Sequence, residues 1–431
     1  MAERDPSCAD PVDVLIPVEQ ARARMLAALS PIGGAAQRLA LGEATGRVLA
    51  HSIDAAFDVP TLANSAMDGY ALAASDIPSQ GTAALRVVGS AWAGRPFEHR
   101  VPPGHAARIF TGAVMPDGTD TVVMQERVDS ETDAAGERIL IDASVVPGRN
   151  VRAPGEDVAA GETVFAAGRR LGAADIGVLA SLGVAWVDVQ PRLRVACFTT
   201  GDELVSLSEA GDGDALPVAP GPGLLYDSNR FTLASLLSRL DVELLDLGIV
   251  ADTPAATRAA FDAASRADLV ISSGGISTGE ADHVRTIFHE RGEIGFWRLA
   301  MRPGRPLAFG RIDDAVFFGL PGNPVAVMVT FLQFVQPALR VLAGERASAP
   351  PVLPARARSP MKKALGRTEY LRGIASLDDD GRLVVSTTGP QGAGRLSSMA
   401  AANCLIVIDP DVARVEPGDR VGVQLLHGLL P

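Results

Sequence analysis

The chain has 431 residues, too many for one compact core, and at roughly 100–200 residues per domain it predicts about two to four domains. Apolar residues make up 47% and charged residues 21%, which excludes a disordered protein. The net charge of -12 argues against general binding to nucleic acid or to an anionic membrane. Cys8, Cys197 and Cys404 form no CxxC pair, so neither a zinc finger nor a disulfide framework is indicated, and a reducing, cytoplasmic location is expected.

The N-terminal part of the chain predicts a helix followed by short β-type segments. Apolar residues recur at helical spacing over 17–30, and 42–50 is interpreted as a second short helical piece. From about 53 to 149, short apolar runs divided by Gly, Pro and Asp predict a small, mostly β domain. A helix is predicted again at 173–183.

The middle of the chain alternates strands and helices, which predicts a doubly wound parallel sheet. Strand 193–199 precedes a helix at 227–240, capped by Asp227 or Ser228, and a second helix has Thr253 before Pro254, a favoured first residue. The apolar run at 325–343 is broken by Gln333, Gln336, Pro337 and Arg340, so a buried helix is favoured over a membrane span. After a Pro/Ala linker, the remaining strands indicate a small β-barrel or sandwich.

Four loops at strand ends of this sheet share glycines and hydroxyls, namely TTGDEL, GIVADTP, SSGGISTGEAD and PGNP. Ligands of doubly wound sheets gather at the carboxyl ends of the strands, and backbone N–H groups of such turns bind anions. Any single loop is equally well explained as a tight turn. Four at one edge favour a phosphate site.

Acidic residues lie on the same loops: Asp202, Glu203, Asp252, Glu280 and Asp282. Carboxylates beside a phosphate are costly unless a hard cation lies between them, and Mg²⁺ typically uses one or two carboxylates with substrate phosphate oxygens. Helix capping is the alternative for some of these acids. We predict Asp252 and Asp282 as the metal ligands.

Residues 297–310 supply positive charge through Arg298, Arg302 and Arg305, in a predicted strand–turn–strand. Guanidinium groups hold oxyanions with two parallel hydrogen bonds. A solvated basic hairpin is the alternative. Such a cluster in a protein of net charge -12 favours anion binding.

Nine motifs in order resemble the MoeA family of molybdopterin molybdenumtransferases, which also includes the E domain of gephyrin: NSAMDGYAL, IFTGAVMPDGTDTVVMQE, RAPGED, FTTGDEL, YDSN, ISSGGISTGEADHV, MRPGRPLAFG, GLPGNPVA and SSMAAANCLIVI. The resemblance covers about residues 13–426. It implies a multidomain α/β fold whose parts are a linker domain (13–52 and 150–190), an inserted β-rich domain (53–149), a doubly wound molybdopterin-binding domain (191–343) and a C-terminal β-barrel (350–431).

The resemblance also implies the reaction: adenylylated molybdopterin and molybdate give molybdenum cofactor and AMP, with Mg²⁺ required. The family is homodimeric, and its cleft joins the doubly wound and C-terminal domains of one subunit to the inserted domain of the other. A transient contact with the molybdopterin adenylyltransferase is a further expectation. Nucleic acid and membrane partners are not expected.

Carried over by position, the resemblance implies catalytic roles for Asp282, Asp252, Asp68, Glu203 and Thr111. It implies substrate binding by a larger set of residues on the four loops, the basic segment and the flanking domains: Thr200, Gly201, Asp202, Asp227, Ser228, Asn229, Ser272, Ser273, Gly274, Gly275, Ser277, Gly279, Arg298, Arg302, Arg305, Pro321, Gly322, Asn323, Ser397, Ser398, Arg152, Asp157 and Glu126. Many relatives have lysines where this chain has the three arginines of its basic segment.

Two alternatives stay open. The molybdopterin adenylyltransferase shares the SSGG loop, although it is a single-domain protein. A gephyrin-type domain that binds molybdopterin without turning it over, as a scaffold, is the rival from another functional class.

Overall fold

The computed structural model describes residues 15–134, 136–207, 218–275, 291–346 and 349–426. Among the predicted site residues, Ser277, Gly279 and Asp282 lie outside this described part, as does Glu280.

The first segment begins with helix α1 (Val18–Ala27), as its apolar spacing predicts, and continues with strands β1 (Gln37–Ala40) and β2 (Ile53–Asp54). Ala21 and Met25 of α1 are fully buried against the largest hydrophobic core. The predicted helical piece at 42–50 is wrong: one 3₁₀ turn, Leu41–Glu43, is followed by an extended stretch. Gly46 has a φ of +79°, which a right-handed helix excludes.

The inserted segment is mostly β, as predicted. Strands β4 to β9 form one six-stranded sheet in the order β7-β4-β6-β5-β9-β8. Its interior holds Leu72, Ile139 and Ile141, each nearly fully buried. The strands of this segment are β3 (Asn64–Ser65), β4 (Gly69–Leu72), β5 (Thr82–Ala91), β6 (His105–Ile109), β7 (Thr121–Met124), β8 (Asp129–Asp133) and β9 (Gly136–Asp142).

The chain then returns to the first segment and pairs with it. The returning elements are β10 (Val151–Arg152), β11 (Thr163–Phe165), α2 (Ala173–Ser181) and β12 (Trp186–Val189). Strand β12 pairs antiparallel with β1, β11 with β2, and β10 with β3. Two distant chain segments therefore build one linker region around a shared core that includes Leu49, Leu179 and Val189.

The predicted doubly wound sheet is present as six strands in the order β16-β13-β17-β21-β20-β18, the first four parallel. Its alternate residues face opposite cores: Val195 and Cys197 lie in one cluster, Ala196 and Phe198 in the other. Burial on both faces explains the continuous apolar runs. The strands between residues 194 and 320 are β13 (Arg194–Thr200), β14 (Leu204–Val205), β15 (Leu225–Tyr226), β16 (Glu243–Val250), β17 (Leu269–Ser273), β18 (Gly292–Arg298), β19 (Met301–Arg302), β20 (Pro306–Ile312) and β21 (Ala315–Leu320).

Helices cover both faces of this sheet. Helix α4 (Pro254–Ala263), whose Thr253 hydroxyl caps it at 3.2 Å from the amide of Ala256, packs on one face. Helices α3 (Ser228–Leu237) and α5 (Pro324–Leu342) pack on the other. Among the described residues α5 is the one helix with the length and composition of a membrane span, yet 89% of its apolar window is buried inside the protein. The π-helical turn Phe331–Val335 interrupts its α-helical pattern.

The C-terminal segment forms a closed five-stranded barrel, because β24 pairs with β26 as well as with β25. The two-residue strand β19, from the preceding segment, adds to this sheet in parallel with β24. The multidomain α/β architecture with an inserted β-rich part and a C-terminal barrel is thus confirmed. The elements are β22 (Leu353–Ala357), β23 (Met361–Lys362), β24 (Thr368–Leu377), β25 (Leu383–Thr387), α6 (Leu396–Ala400), β26 (Cys404–Ile408), β27 (Arg414–Val415) and β28 (Arg420–Leu425).

Candidate functional site

The strand ends of the doubly wound sheet meet in register. Thr199 of β13 lies opposite Ser273 of β17, and Ser273 lies opposite Leu320 of β21. Thr200 pairs with Val250 of β16 on the other side. We call the loops that leave these four ends, together with Asn229 beside them, the carboxyl edge (199–203, 229, 251–253, 272–275 and 321–323).

Asn229 connects the first turn of α3 to two loops of the carboxyl edge. Its Nδ2 donates to Ser273 Oγ at 3.0 Å and to the carbonyl of Gly322 at 2.7 Å. Ser273 Oγ donates in turn to the carbonyl of Pro321 at 3.2 Å. The first turn of α3 is thereby fixed against two loops, and both side chains are buried.

Asp227 stabilises the start of α3 beside the carboxyl edge. Its side chain is buried and accepts hydrogen bonds from Thr199 Oγ1 at 2.5 Å and from the amide of Arg230 at 3.2 Å, as the N-cap of α3. Both carboxylate oxygens are therefore engaged by the protein itself. Ser228, the next residue, is exposed.

Position 274 requires glycine because of its backbone conformation and its close contact with a neighbouring loop. Its φ is +95°, and a Cβ there would lie 2.2 Å from the carbonyl oxygen of Thr200, so two loops touch through bare backbone. At Gly201 a Cβ would lie 2.6 Å from the carboxylate of Glu203, which folds back over that glycine. The amide of Gly274 is not free for an anion, because it donates to the carbonyl of Leu320 at 3.1 Å. The predicted backbone nest therefore does not include that N–H group.

Four buried polar atoms of the carboxyl edge have no hydrogen-bond partner among the described residues: Thr200 Oγ1, Asn229 Oδ1, Asp252 Oδ1 and Ser272 Oγ. Buried polar atoms are nearly always satisfied, since leaving one unpaired is costly. The four come from four separate chain segments around the carboxyl ends of β13, β16 and β17. Such a concentration indicates a site built for a polar ligand.

The acids of the carboxyl edge differ in burial. Asp252 is half-buried, whereas Asp202 and Glu203 are exposed. The described residues contain no cluster of three or more His, Cys, Asp or Glu side chains with metal-binding geometry. Mg²⁺ commonly takes one or two carboxylates and completes its shell with substrate oxygens and water, so the unpaired oxygen of Asp252 fits one such ligand.

The basic segment 298–305 lies between the sheet and the barrel. Arg302 and Arg305 are exposed and Arg298 is half-buried. The segment is the predicted strand–turn–strand in part only, because β19 within it leaves the hairpin and pairs with the barrel. Arg302 NH1 lies 3.7 Å from Glu369 Oε1 across that pairing.

Arg372 of β24 is a further cation that the sequence analysis missed. It is 1% exposed, and it donates from Nε to Ser398 Oγ at 3.0 Å and from NH2 to the carbonyl of Gly392 at 3.0 Å. Burial lowers the pKa of Arg372, and the nearby charge of Arg302 lowers it further. The signal that could have found it is an arginine in the middle of the apolar run YLRGIAS.

The predicted serines are distinguished by these contacts. Ser398 is buried and bonded to Arg372, whereas Ser397 is exposed. The loop before them is tied to the carboxyl edge, since the amide of Val325 donates to the carbonyl of Ala393 at 3.1 Å. Asn323, at the N-cap of α5, has an exposed side chain that makes no capping bond.

Asp68 and Thr111 meet on the surface of the inserted sheet. Asp68 Oδ1 accepts from both the amide and the hydroxyl of Thr111, each at 2.8 Å. These two hydrogen bonds lower the pKa of the exposed Asp68 carboxyl. With Arg108 and Gln125 they form what we call the inserted face.

Arg108 organises the rest of the inserted face. It donates to Tyr70 Oη at 3.0 Å and to Gln125 Oε1 at 3.1 Å, and Gln125 donates to Glu126 Oε1 at 3.2 Å. Glu126 is exposed. Among the described residues, the side-chain hydrogen bonds of Arg108, Gln125 and Glu126 all stay within the inserted segment and do not reach the carboxyl edge.

The two predicted residues of the linker region are placed by their backbones. Arg152 pairs with Asn64 in the β10–β3 ladder, and the amide of Asp157 donates to the carbonyl of Val59 at 3.0 Å. Both side chains are exposed. Within the described part of the chain, neither side chain makes a hydrogen bond or ion pair with the carboxyl edge.

Family models match three successive parts of the chain. The MoeA N-terminal region (domain I and II) matches residues 16–183, a probable molybdopterin binding domain matches 196–341, and the MoeA C-terminal region (domain IV) matches 354–426.

Individual proteins match almost from end to end. A molybdopterin molybdenumtransferase of Haemophilus influenzae is 40% identical over 418 residues, covering 96% of this chain and 100% of that protein. One from a Nostoc species is 38% identical, covering 90% of this chain and 88% of that protein. The crystal structure of the molybdopterin biosynthesis protein MoeA from Pyrococcus horikoshii superposes with a TM-score of 0.77 at 27% identity, covering 96% of this chain and 100% of that one.

Proposed function

Since the chain belongs to the MoeA family of molybdopterin molybdenumtransferases, we propose that it inserts molybdenum from molybdate into adenylylated molybdopterin and releases AMP. The observation that carries this proposal is the group of four buried polar atoms at the carboxyl edge that have no hydrogen-bond partner in the described part of the chain. Two are hydroxyls that can donate to a phosphate, and two are oxygens that can accept from a pterin or hold a cation.

The carboxyl edge would hold the pterin and its phosphate. The hydroxyls of Thr200 and Ser272 can donate to phosphate oxygens, whereas Asn229 Oδ1 accepts and suits an N–H group of the pterin. Asn229 cannot rotate freely, because its amide nitrogen is already bonded to Ser273 and to Gly322. The site is thus preorganised before substrate binds.

Molybdate would lie against Arg302, Arg372 and Ser398. Arg372 is buried and its hydrogen-bond partners among the described residues are neutral, so its positive charge is available to an oxyanion. Ser398 Oγ fixes the plane of that guanidinium. Arginine at position 302 can bind with two donors where a lysine offers a point charge.

We propose Asp252 and Asp282 as the ligands of a required Mg²⁺, which when bound would neutralise charge on the pyrophosphate-like linkage. The unpaired oxygen of Asp252 supports its share of this role. The basic residues then hold molybdate beside the dithiolene sulfurs, and this close placement supplies much of the rate. Molybdate labelled with oxygen-18 tests which oxygen attacks phosphorus: no label in AMP excludes attack by molybdate on the adenylate phosphorus.

We further propose a homodimer in which the inserted face of one subunit completes the cleft of the other. The supporting observation is that Asp68 and Thr111 are exposed, bonded to each other and separate from the carboxyl edge of their own chain. A cytoplasmic location and a transient contact with the adenylyltransferase belong to the same proposal.

The test is AMP release from adenylylated molybdopterin with Mg²⁺ and molybdate, comparing Asp252→Asn with Asp262→Asn. Asp262 is exposed on α4 and pairs with Arg291, so its substitution should leave turnover near wild type. Asp252→Asn should lower turnover by about 100-fold, on the order of 3 kcal/mol in the barrier, since one developing-charge interaction is lost. Equal turnover in the two variants would remove Asp252 from the mechanism. Wild-type protein that binds the substrate without releasing AMP would favour the scaffold function.

A further inference from the structure

A second cation-rich cavity lies at the opposite, amino edge of the doubly wound sheet, between that sheet and the linker region. Arg47 and Arg170 reach it from the linker region, Arg192 from the approach to β13, Asp241 from the approach to β16, and Arg340 from the last turn of α5. We call it the arginine cavity.

Three of the four arginines have acidic partners. Asp241 binds Arg47 Nε at 2.9 Å and Arg192 Nε at 2.7 Å, while Arg170 pairs with Glu345 at 2.6 Å. Arg47 is also bonded to the carbonyl of Gln190 at 2.8 Å. The pKa of Arg47 is lowered by burial and by its arginine neighbours, although Asp241 and the more distant Glu243 oppose this effect.

Asp241 is held in an unusual conformation to serve two arginines. Its φ is +54°, a left-handed region that non-glycine residues seldom occupy and that is often found at functional sites. This one carboxylate therefore pairs with two guanidinium groups, and the net charge of the cluster stays positive.

Arg340 is the fourth arginine of the cavity, and it has no acidic partner among the described residues. Its Nε is buried and makes no hydrogen bond, and no ion pair to it is formed within the described part of the chain. The enclosed part of the cavity is about 20 Å³, which is room for one water or for one oxygen atom of an anion that enters from the mouth. A buried guanidinium donor beside three further arginines calls for an acceptor with negative charge.

We propose that the arginine cavity binds a tetrahedral oxyanion, with Arg340 and Arg192 as its principal donors. Arg192 is 49% exposed and lies at the mouth of the cavity, where its remaining N–H groups can reach an anion. The bound anion would bridge the linker region and the doubly wound sheet. This site is separate from the carboxyl edge, and it does not depend on the proposed reaction.

The experiment measures binding of inorganic phosphate, sulfate and molybdate by calorimetry, with chloride at equal ionic strength as the control for screening. Every protein compared carries Arg302→Gln, because this substitution weakens oxyanion binding at the position proposed for the active site. In this background Arg340→Gln should weaken phosphate binding by about tenfold or more. Arg382→Gln, which removes an exposed arginine paired with Asp380, should leave binding unchanged.

Thermal unfolding separates binding from a folding defect. Arg340→Gln should fold normally without added anion, because no partner is lost, and phosphate should raise the unfolding temperature of the Arg382→Gln protein but not that of Arg340→Gln. The arms for molybdate and sulfate identify which oxyanion is preferred. Equal phosphate affinity in the Arg340→Gln and Arg382→Gln proteins would overturn the proposal and leave the arginines as a clamp between two domains.

Discussion

The carboxyl edge and the inserted face carry similar residue types, yet they differ in whether their polar atoms are buried and whether they are hydrogen-bonded. At the carboxyl edge, four polar atoms are buried and have no hydrogen-bond partner among the described residues. On the inserted face, Asp68 and Thr111 are exposed and bonded to each other, and Arg108 binds Tyr70 and Gln125.

The difference separates two ways of preparing a site. Unpaired buried atoms raise the free energy of the empty protein, and a ligand that satisfies them recovers that cost on binding. Paired exposed atoms cost little, and their hydrogen bonds hold the side chains in one geometry until a second surface arrives. At the carboxyl edge, removing an unpaired polar atom should therefore preserve or raise stability while it weakens function. At the inserted face, no such opposition is expected.

Gly274→Ala should give the largest effect, because it breaks the carboxyl edge itself. The new Cβ would lie 2.2 Å from the carbonyl oxygen of Thr200, and the φ of +95° adds about 1–3 kcal/mol of strain. Displacement of the loops should lower AMP release by about 100-fold or more. Gly177→Ala is the control: the position is inside helix α2 with nothing within 4 Å, so the free energy of unfolding should rise by about 0.5–1 kcal/mol. Full activity of Gly274→Ala would show that close approach of the two loops is unnecessary.

The neighbouring serines provide the sharpest comparison. Ser273→Ala removes bonds to Asn229 and Pro321, so it should destabilise the protein by about 1–2 kcal/mol. Ser272→Ala removes a buried hydroxyl that has no partner in the described part of the chain, so the free energy of unfolding should stay equal or rise by about 1 kcal/mol while the KM for the pterin substrate rises.

Denaturant unfolding and steady-state kinetics on both variants measure these two effects. A loss of stability in Ser272→Ala would mean that its hydroxyl is satisfied in the native protein. An unchanged KM in that variant would separate the unpaired atoms from substrate binding.

Thr111→Val should give the smallest effect, confined to the inserted face. The variant keeps the amide donor and loses the hydroxyl donor to Asp68, so the pKa of Asp68 should move back towards its ordinary value of 3.8. In the native protein this lowered pKa favours the folded state above the unfolded pKa, and the contribution is lost as the pH falls through the folded pKa. Titration of Asp68 followed by NMR checks the shift. An identical pKa in both proteins would assign the effect to the Thr111 amide alone.

Signals carried by neighbouring residues made the elements around the carboxyl edge predictable. Thr253 before Pro254 and Asp227 before α3 are signals carried by adjacent residues, and both act as N-caps as predicted. Parallel strands then bring the loop residues together as a consequence of topology. By the same logic 42–50 was mistaken for a helix, because apolar spacing does not register the positive φ of Gly46.

Contacts between distant segments were not predictable in this way. Arg372 bonds to Ser398 and Gly392, which lie 26 and 20 residues later in the chain. The apolar run around it indicates that it is buried, but not what it contacts. The roles of Asp282, Ser277 and Gly279 remain predictions, since these residues lie outside the described part of the chain.

The short strand β19 makes residues 298–302 a joint between three parts of the chain. Ile16 bonds to this stretch on one side, through the carbonyl of Arg298 and the amide of Ala300, and Thr368 of the barrel bonds to the carbonyl of Ala300. Arg302 is thus positioned with the precision of a sheet although it lies in a connection between strands. A fragment cut at the linker before β22 would leave each half with an unpaired strand edge, so neither half is a fair stand-in for the whole site.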